Sequence, residues 1–167
     1  MFYNCTSLTT APELPATTLG GGCYIGMFKN CSSLIKAPEL PATTLTFNCY
    51  NSMFFGCSSL TQAPSILPAT KLEQRCYDSM FENCISLVSA PELQATQLNT
   101  MSCSRMFYGC TQLNYIKALF TDAPDPEFTG NWVYGVSPTG TFVKSKDANW
   151  NVTGISGIPS GWTVQTA

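Results

Sequence analysis

The stretch MFKNCSSLIKAPELPATTL, residues Met27 to Leu45, decides how the rest of the chain is read. Near-copies of it begin at Met1, Met53, Met80 and Met106, and the unit lengthens by a single residue only between Met53 and Met80. The extra residue falls in APSILPATKL, where Ile66 and Leu67 stand in place of Leu40, and one inserted residue there predicts a local bulge. A unit this short cannot bury an apolar face alone, so copies must stack and turn each fixed apolar position into a column. The columns are Met1, Met27, Met53, Met80 and Met106, then Phe2, Phe28, Phe54, Phe81 and Phe107, with two leucine columns through Leu34 and Leu45.

Within a unit, SSLIKAPEL reads as a short strand ended by Pro38 and Pro41, which lack N–H donors, and PATTL reads as a corner. In CYNSMFFGC, the apolar residues Cys49, Met53, Phe54 and Cys57 recur at helical spacing, which predicts two helical or 3₁₀ turns. The expected fold is therefore a right-handed repeat solenoid of short strands and short helical turns, with five units over residues 1–113. After Leu113 the composition changes: all three tryptophans, Trp132, Trp150 and Trp162, lie there. Residues 114–167 are expected to form a mixed C-terminal cap. Its elements are a short helix near 128–136, a strand around 141–144 and a last strand near 162–165.

Met1 aligns with Met27, so the chain reads as a piece of a longer protein. The first unit has no cap, and self-association through that end is expected, because an open strand edge and apolar side chains face outward there.

Composition narrows the function classes. Charged residues make up only 11 % of the chain, and the eight Lys and Arg are scattered singly. No basic stripe exists to follow a phosphate backbone, so nucleic acid is not an expected partner. No apolar run is long enough for a membrane span. Histidine is absent, which removes the commonest general base and zinc ligand, so no enzyme activity, metal or cofactor is expected.

The nine cysteines fall in two columns: Cys5, Cys31, Cys57, Cys84 and Cys110, and Cys23, Cys49 and Cys76. In the next unit Ser102 takes the cysteine slot and Cys103 the tyrosine slot. Their spacings do not suit zinc. Stacked units could bring thiols within disulfide reach, yet an odd total leaves one unpaired. Buried free thiols that fill a narrow column are the expected state. Glu13, Glu39 and Glu92 also form a row, with Ser65 in the third unit, but a ladder of like carboxylates gives no means of splitting two pKa values for glycosidase chemistry.

Positions that vary inside a constant frame are the better binding candidates. They are Lys29, Phe55, Glu82 and Tyr108 after each Met-Phe, with Tyr3 before them, and the triplets GGG, TFN, EQR and NTM, the second of which contains Phe47. The sequons at Asn4, Asn30 and Asn151 add nothing to this reading.

The unit Leu-x-x-Ala-Pro…Leu…Cys-Tyr-x-x-Met-Phe-x-x-Cys-x-x-Leu resembles the BspA-like leucine-rich repeat, in the Met-Phe variant of surface and secreted proteins of anaerobic gut bacteria. The resemblance covers residues 1 to about 120. It implies a cell-surface or secreted, non-enzymatic binding module that adheres to a protein or glycan, and it carries over no catalytic residues. The alternative is a structural spacer that presents another domain.

Overall fold

The computed structural model describes residues 2–167. It overturns the right-handed leucine-rich-repeat solenoid of strands and helical turns. The chain builds one open, all-parallel, five-stranded sheet, in the order β1 (Ile66–Leu67), β2 (Glu92–Leu93), β3 (Tyr115–Ala118), β4 (Thr141–Lys144) and β5 (Thr163–Thr166). Among the described residues the only helix is α1 (Pro126–Thr129), which ends where the helix near 128–136 was expected to begin. Two of the strands contain just two residues. The first units carry isolated parallel bridges such as Thr10↔Lys36 and Lys36↔Gln62 in place of strands.

The expected helix over Cys49–Cys57 fails for a physical reason. Backbone φ is positive at Asn48, Ser52 and Gly56, at every fourth residue, which no right-handed helix tolerates. The segment is a ribbon of successive tight turns, every second of which has a left-handed residue in its third place, as in type II turns. Its amides alternate. Met53, Phe55 and Cys57 donate to the carbonyls of Tyr50, Ser52 and Phe54, three residues back. Tyr50, Ser52, Phe54 and Gly56 instead donate to Cys76, Asp78, Met80 and Glu82 in the following unit. A four-residue turn period lies close to the 3.6 of a helix, so the apolar spacing imitates one. The last left-handed position of each unit holds only Asn or Gly: Asn4, Asn30, Gly56, Asn83, Gly109 and Gly135.

The side chains behind the ribbon form the core. The rings of Phe2, Phe28, Phe54, Phe81 and Phe107 stack at centroid distances of 5.5, 5.6, 5.3 and 5.7 Å with interplanar angles of 12° or less. Tyr24, Tyr50 and Tyr77 stack beside them at 6.0 and 6.1 Å. Buried aromatics dominate such cores, at about 1.5–3 kcal/mol each. Met1 of the first column lies outside the described residues.

The inserted residue is accommodated locally. Ile66 is exposed, Leu67 is buried, and the ordinary one-unit register resumes on the far side of the insertion, with Ile66↔Glu92 and Leu67↔Leu93. Glu39 compensates by accepting hydrogen bonds from Ser65 N–H and Oγ–H through Oε2, at 3.1 and 2.8 Å.

Past Leu113 the stack continues. β3 pairs with β4 at the same one-unit offset, as Tyr115↔Thr141, and Phe107 N–H donates to the Trp132 carbonyl. Each tryptophan then ties two units together through its indole N–H. Trp132 donates to Gly157, Trp150 to Phe120 and Trp162 to Ser137, at 2.8, 3.1 and 2.8 Å.

Candidate functional site

The cysteine columns were expected to hold buried free thiols as mere column filling, and the structure gives them a backbone role as well. Cys31 Sγ lies 2.9 Å from the Phe2 carbonyl oxygen, and Cys57, Cys84 and Cys110 repeat this toward Phe28, Phe54 and Phe81 at 3.1, 3.1 and 3.0 Å. Each of those carbonyls already closes its own turn by accepting an N–H three residues on, from Cys5, Cys31, Cys57 and Cys84. The thiol thus donates to the remaining lone pair of a buried carbonyl, which an alanine or valine could not do. In the second column Cys49 Sγ accepts from Thr46 N–H at 3.1 Å, and Ser102 Oγ accepts from Asn99 N–H at 3.2 Å in the unit where serine replaces cysteine. Burial pushes the thiols of Cys57, Cys76 and Cys110 up to about 12 and raises those of Cys31, Cys84 and Cys103. Such thiols are poor nucleophiles at neutral pH. Seven of the nine are buried, Cys23 is half-buried and Cys5 is exposed.

Two members of the carboxylate row, Glu39 and Glu92, are occupied by contacts within the protein. Glu39 holds Ser65, and Glu92 pairs with Lys117 Nζ at 3.1 Å and accepts from Gln94. Among the described residues no three His, Cys, Asp or Glu side chains converge as a metal site, and no helix is long and apolar enough to cross a membrane.

Among the variable positions, Lys29, Phe55 and Tyr108 are half-buried on the turn ribbon and Glu82 is buried. Lys29 Nζ sits 4.2 Å above the centroid of Phe55. Arg105 donates to both carboxylate oxygens of Glu82, with Nε at 2.9 Å from Oε2, while its guanidinium lies 4.3 Å from the Tyr108 ring centroid. Tyr108 stacks on Tyr134 at 4.9 Å. This column therefore satisfies itself: its cations are spent on its own rings and on Glu82, which is buried. Arg105 and Tyr134 went unnoticed in the sequence. Tyr134 was legible from register alone, because it stands one repeat period after Tyr108. Beside the column, Asp78 is also buried, accepts from Ser79 Oγ–H at 3.2 Å, and has its carboxyl raised by desolvation.

Phe47 is different. It lies two turns before Phe55 and keeps 59 % of its surface exposed. On one side its ring rests against Gly21, where a Cβ would meet Cε1 at 2.5 Å. It also borders an open groove of about 530 Å³ whose other walls are Leu45, Thr46, Glu73, Gln74, Asn99 and Thr100. Asn99 Nδ2 donates to Glu73 Oε2 at 3.3 Å, and Lys71 Nζ lies 3.2 Å from Glu73 Oε1, so the carboxylate is held and its charge offset. The variable triplets GGG, TFN, EQR and NTM thus meet at one place. A second groove of about 430 Å³ lies between the first two units and is lined by Ala37, Pro38, Glu13 and Glu39 among others.

No protein-family model, no curated protein and no solved structure matches the chain.

Proposed function

We propose that the chain is a non-enzymatic binding module that works at the cell surface or outside the cell and holds a protein or glycan against the outer face of its turn ribbon. The observation that carries this is Phe47, a large apolar side chain left open beside a groove, whose own carbonyl accepts from Gly22 N–H while the next amide, Asn48, donates to Gln74. Covering such a ring in a complex is worth about 1.5–3 kcal/mol. A rigid mount also keeps the entropy cost of binding low. The resemblance of the repeat unit to those of bacterial surface proteins supports the location. Self-association through the uncapped end of the first unit, where Phe2 and Leu8 lie, belongs to the same reading, and a mass that stays monomeric at high concentration overturns that part of it.

The second reading is a spacer. The mutual pairing of Lys29 with Phe55 and of Glu82 with Arg105 favours it, since a scaffold needs no free groups. One experiment separates the two: the purified chain is probed on arrays of glycans and matrix proteins beside the double variant Phe47→Ala, Phe55→Ala. Binding by the natural chain that the variant loses supports the module. Silence from both supports the spacer. Turnover of any arrayed ligand overturns the non-enzymatic reading.

A further inference from the structure

We infer that the groove beside Phe47 is a saccharide subsite, built for a neutral pyranose with an unbroken C–H face. The inference rests on the binding reading above and specifies its ligand. Phe47 supplies a ring without a polar handle, held against the backbone at Gly21; among the described residues no second ring stacks on it. Pyranoses whose hydroxyls are equatorial present axial C–H groups on one face, and that face packs on an aromatic ring as an apolar surface does.

The walls decide between sugar and peptide. A peptide's hydrophobic anchor enters an apolar pocket rimmed by polar groups. Here one ring is surrounded by polar side chains: the Gln74 amide, the Asn99 amide and Glu73 carboxylate that bond each other, and the hydroxyls of Thr46 and Thr100, which donate to the Leu19 carbonyl and to Glu127 Oε1 at 3.3 and 3.0 Å and keep lone pairs to accept. Sugar hydroxyls both donate and accept, so neighbouring hydroxyls find partners on amides, hydroxyls and a carboxylate alike. The contacts of Asn99 and Lys71 to Glu73 hold those acceptors in place before any ligand arrives. Because Lys71 offsets Glu73, the groove carries little net charge and suits a neutral ring better than a uronate. Its volume of about 530 Å³ lies in the range of small-molecule sites and exceeds one sugar ring, so a short oligosaccharide is the fitting ligand.

Gly21 offers a variant that leaves the fold alone. Its backbone is not in the left-handed region, and a methyl there meets only the far end of the Phe47 side chain, so Gly21→Ala displaces the ring without straining the chain. The test is titration of the full chain with neutral gluco-, galacto- and manno-configured trisaccharides and a uronate trimer, read by amide NMR shifts and calorimetry. The natural chain is expected to bind one neutral series with a dissociation constant of about 1 mM or tighter. Phe47→Ala and Gly21→Ala should each weaken it at least tenfold, and Phe47→Trp should preserve it. Neutral-sugar binding that survives Phe47→Ala overturns the subsite, as does a preference for the uronate. Binding to matrix proteins with no response to any saccharide overturns this inference while leaving the binding reading intact. Silence toward both probes overturns the two together.

Discussion

Tyr77→Phe is expected to stabilise the protein, against the usual direction of a core substitution. Tyr77 is fully buried in the ring column, 6.1 Å from Tyr50, and its hydroxyl has no hydrogen-bond partner. A buried hydroxyl with no partner costs about 1–3 kcal/mol in desolvation. Removing the single oxygen gives back most of this and leaves a void smaller than a methyl group, so the net gain is about 1–2 kcal/mol. For a chain of this size each kcal/mol moves the midpoint by about 2–4 °C. Urea unfolding followed by tryptophan fluorescence measures the difference, with Tyr50→Phe as a control expected to change stability by no more than about 0.5 kcal/mol. A loss of more than about 0.5 kcal/mol in Tyr77→Phe would refute the reasoning, because it would mean that the hydroxyl is satisfied in solution.

Stability should fall as pH rises above about 9. The thiols of Cys57, Cys76 and Cys110 are lifted by burial to about 12, so below the unfolded thiol value their contribution is fully present, and it is lost progressively as pH climbs toward 12. Each contributes a slope approaching about 1.4 kcal/mol per pH unit, and chemical unfolding at pH 8, 9 and 10 would show no decline if these thiols were exposed. Under native conditions a thiol reagent should modify Cys5 quickly, Cys23 slowly and the remaining seven only on unfolding, with mass spectrometry reading the order. Arg75 is exposed with φ at 56°, so Arg75→Gly should stabilise by about 0.5–1 kcal/mol as left-handed strain is relieved, whereas Gly109→Ala, with φ at 73° and the Asn83 side chain against it, should destabilise. Matched unfolding curves for the two variants check both signs.

The period, the columns and the late strands were legible in the chain, because stacking forces like residues onto one line. Thr141–Lys144 and Thr163–Thr166 form where their β-branched residues predict. The helical turns were not, because apolar residues at 49, 53 and 57 fit a four-residue turn period as well as a helix. The better clue was the Asn-or-Gly alternation of Asn30, Gly56, Asn83 and Gly109, which speaks for left-handed backbone. The binding face was legible as a set of varying positions but not as a site. Which members neutralise one another depends on reach across units, as when Arg105 closes on Glu82. The pairing of Phe47 with Gly21 was readable in principle, since one repeat period separates a large ring from the one triplet with no side chains.

The alternating amides of the turn ribbon have an electrical consequence. Every bond that the ribbon sends between units runs the same way: Gly26 to Asn51, Ser52 to Asp78, Ser79 to Ser104 and Arg105 to Gly130 all point the N–H toward the later unit. On the strand side the direction alternates, with Ala37 donating forward to Gln62 and Ile35 donating backward to Thr9. Peptide dipoles of roughly 3.5 D therefore cancel along one wall and add along the other. The molecule carries a lengthwise polarity of the kind a helix has along its axis, here produced by side-by-side layers. Its early end is negative and its late end positive, so a further layer of the same kind can join the ribbon in only one orientation.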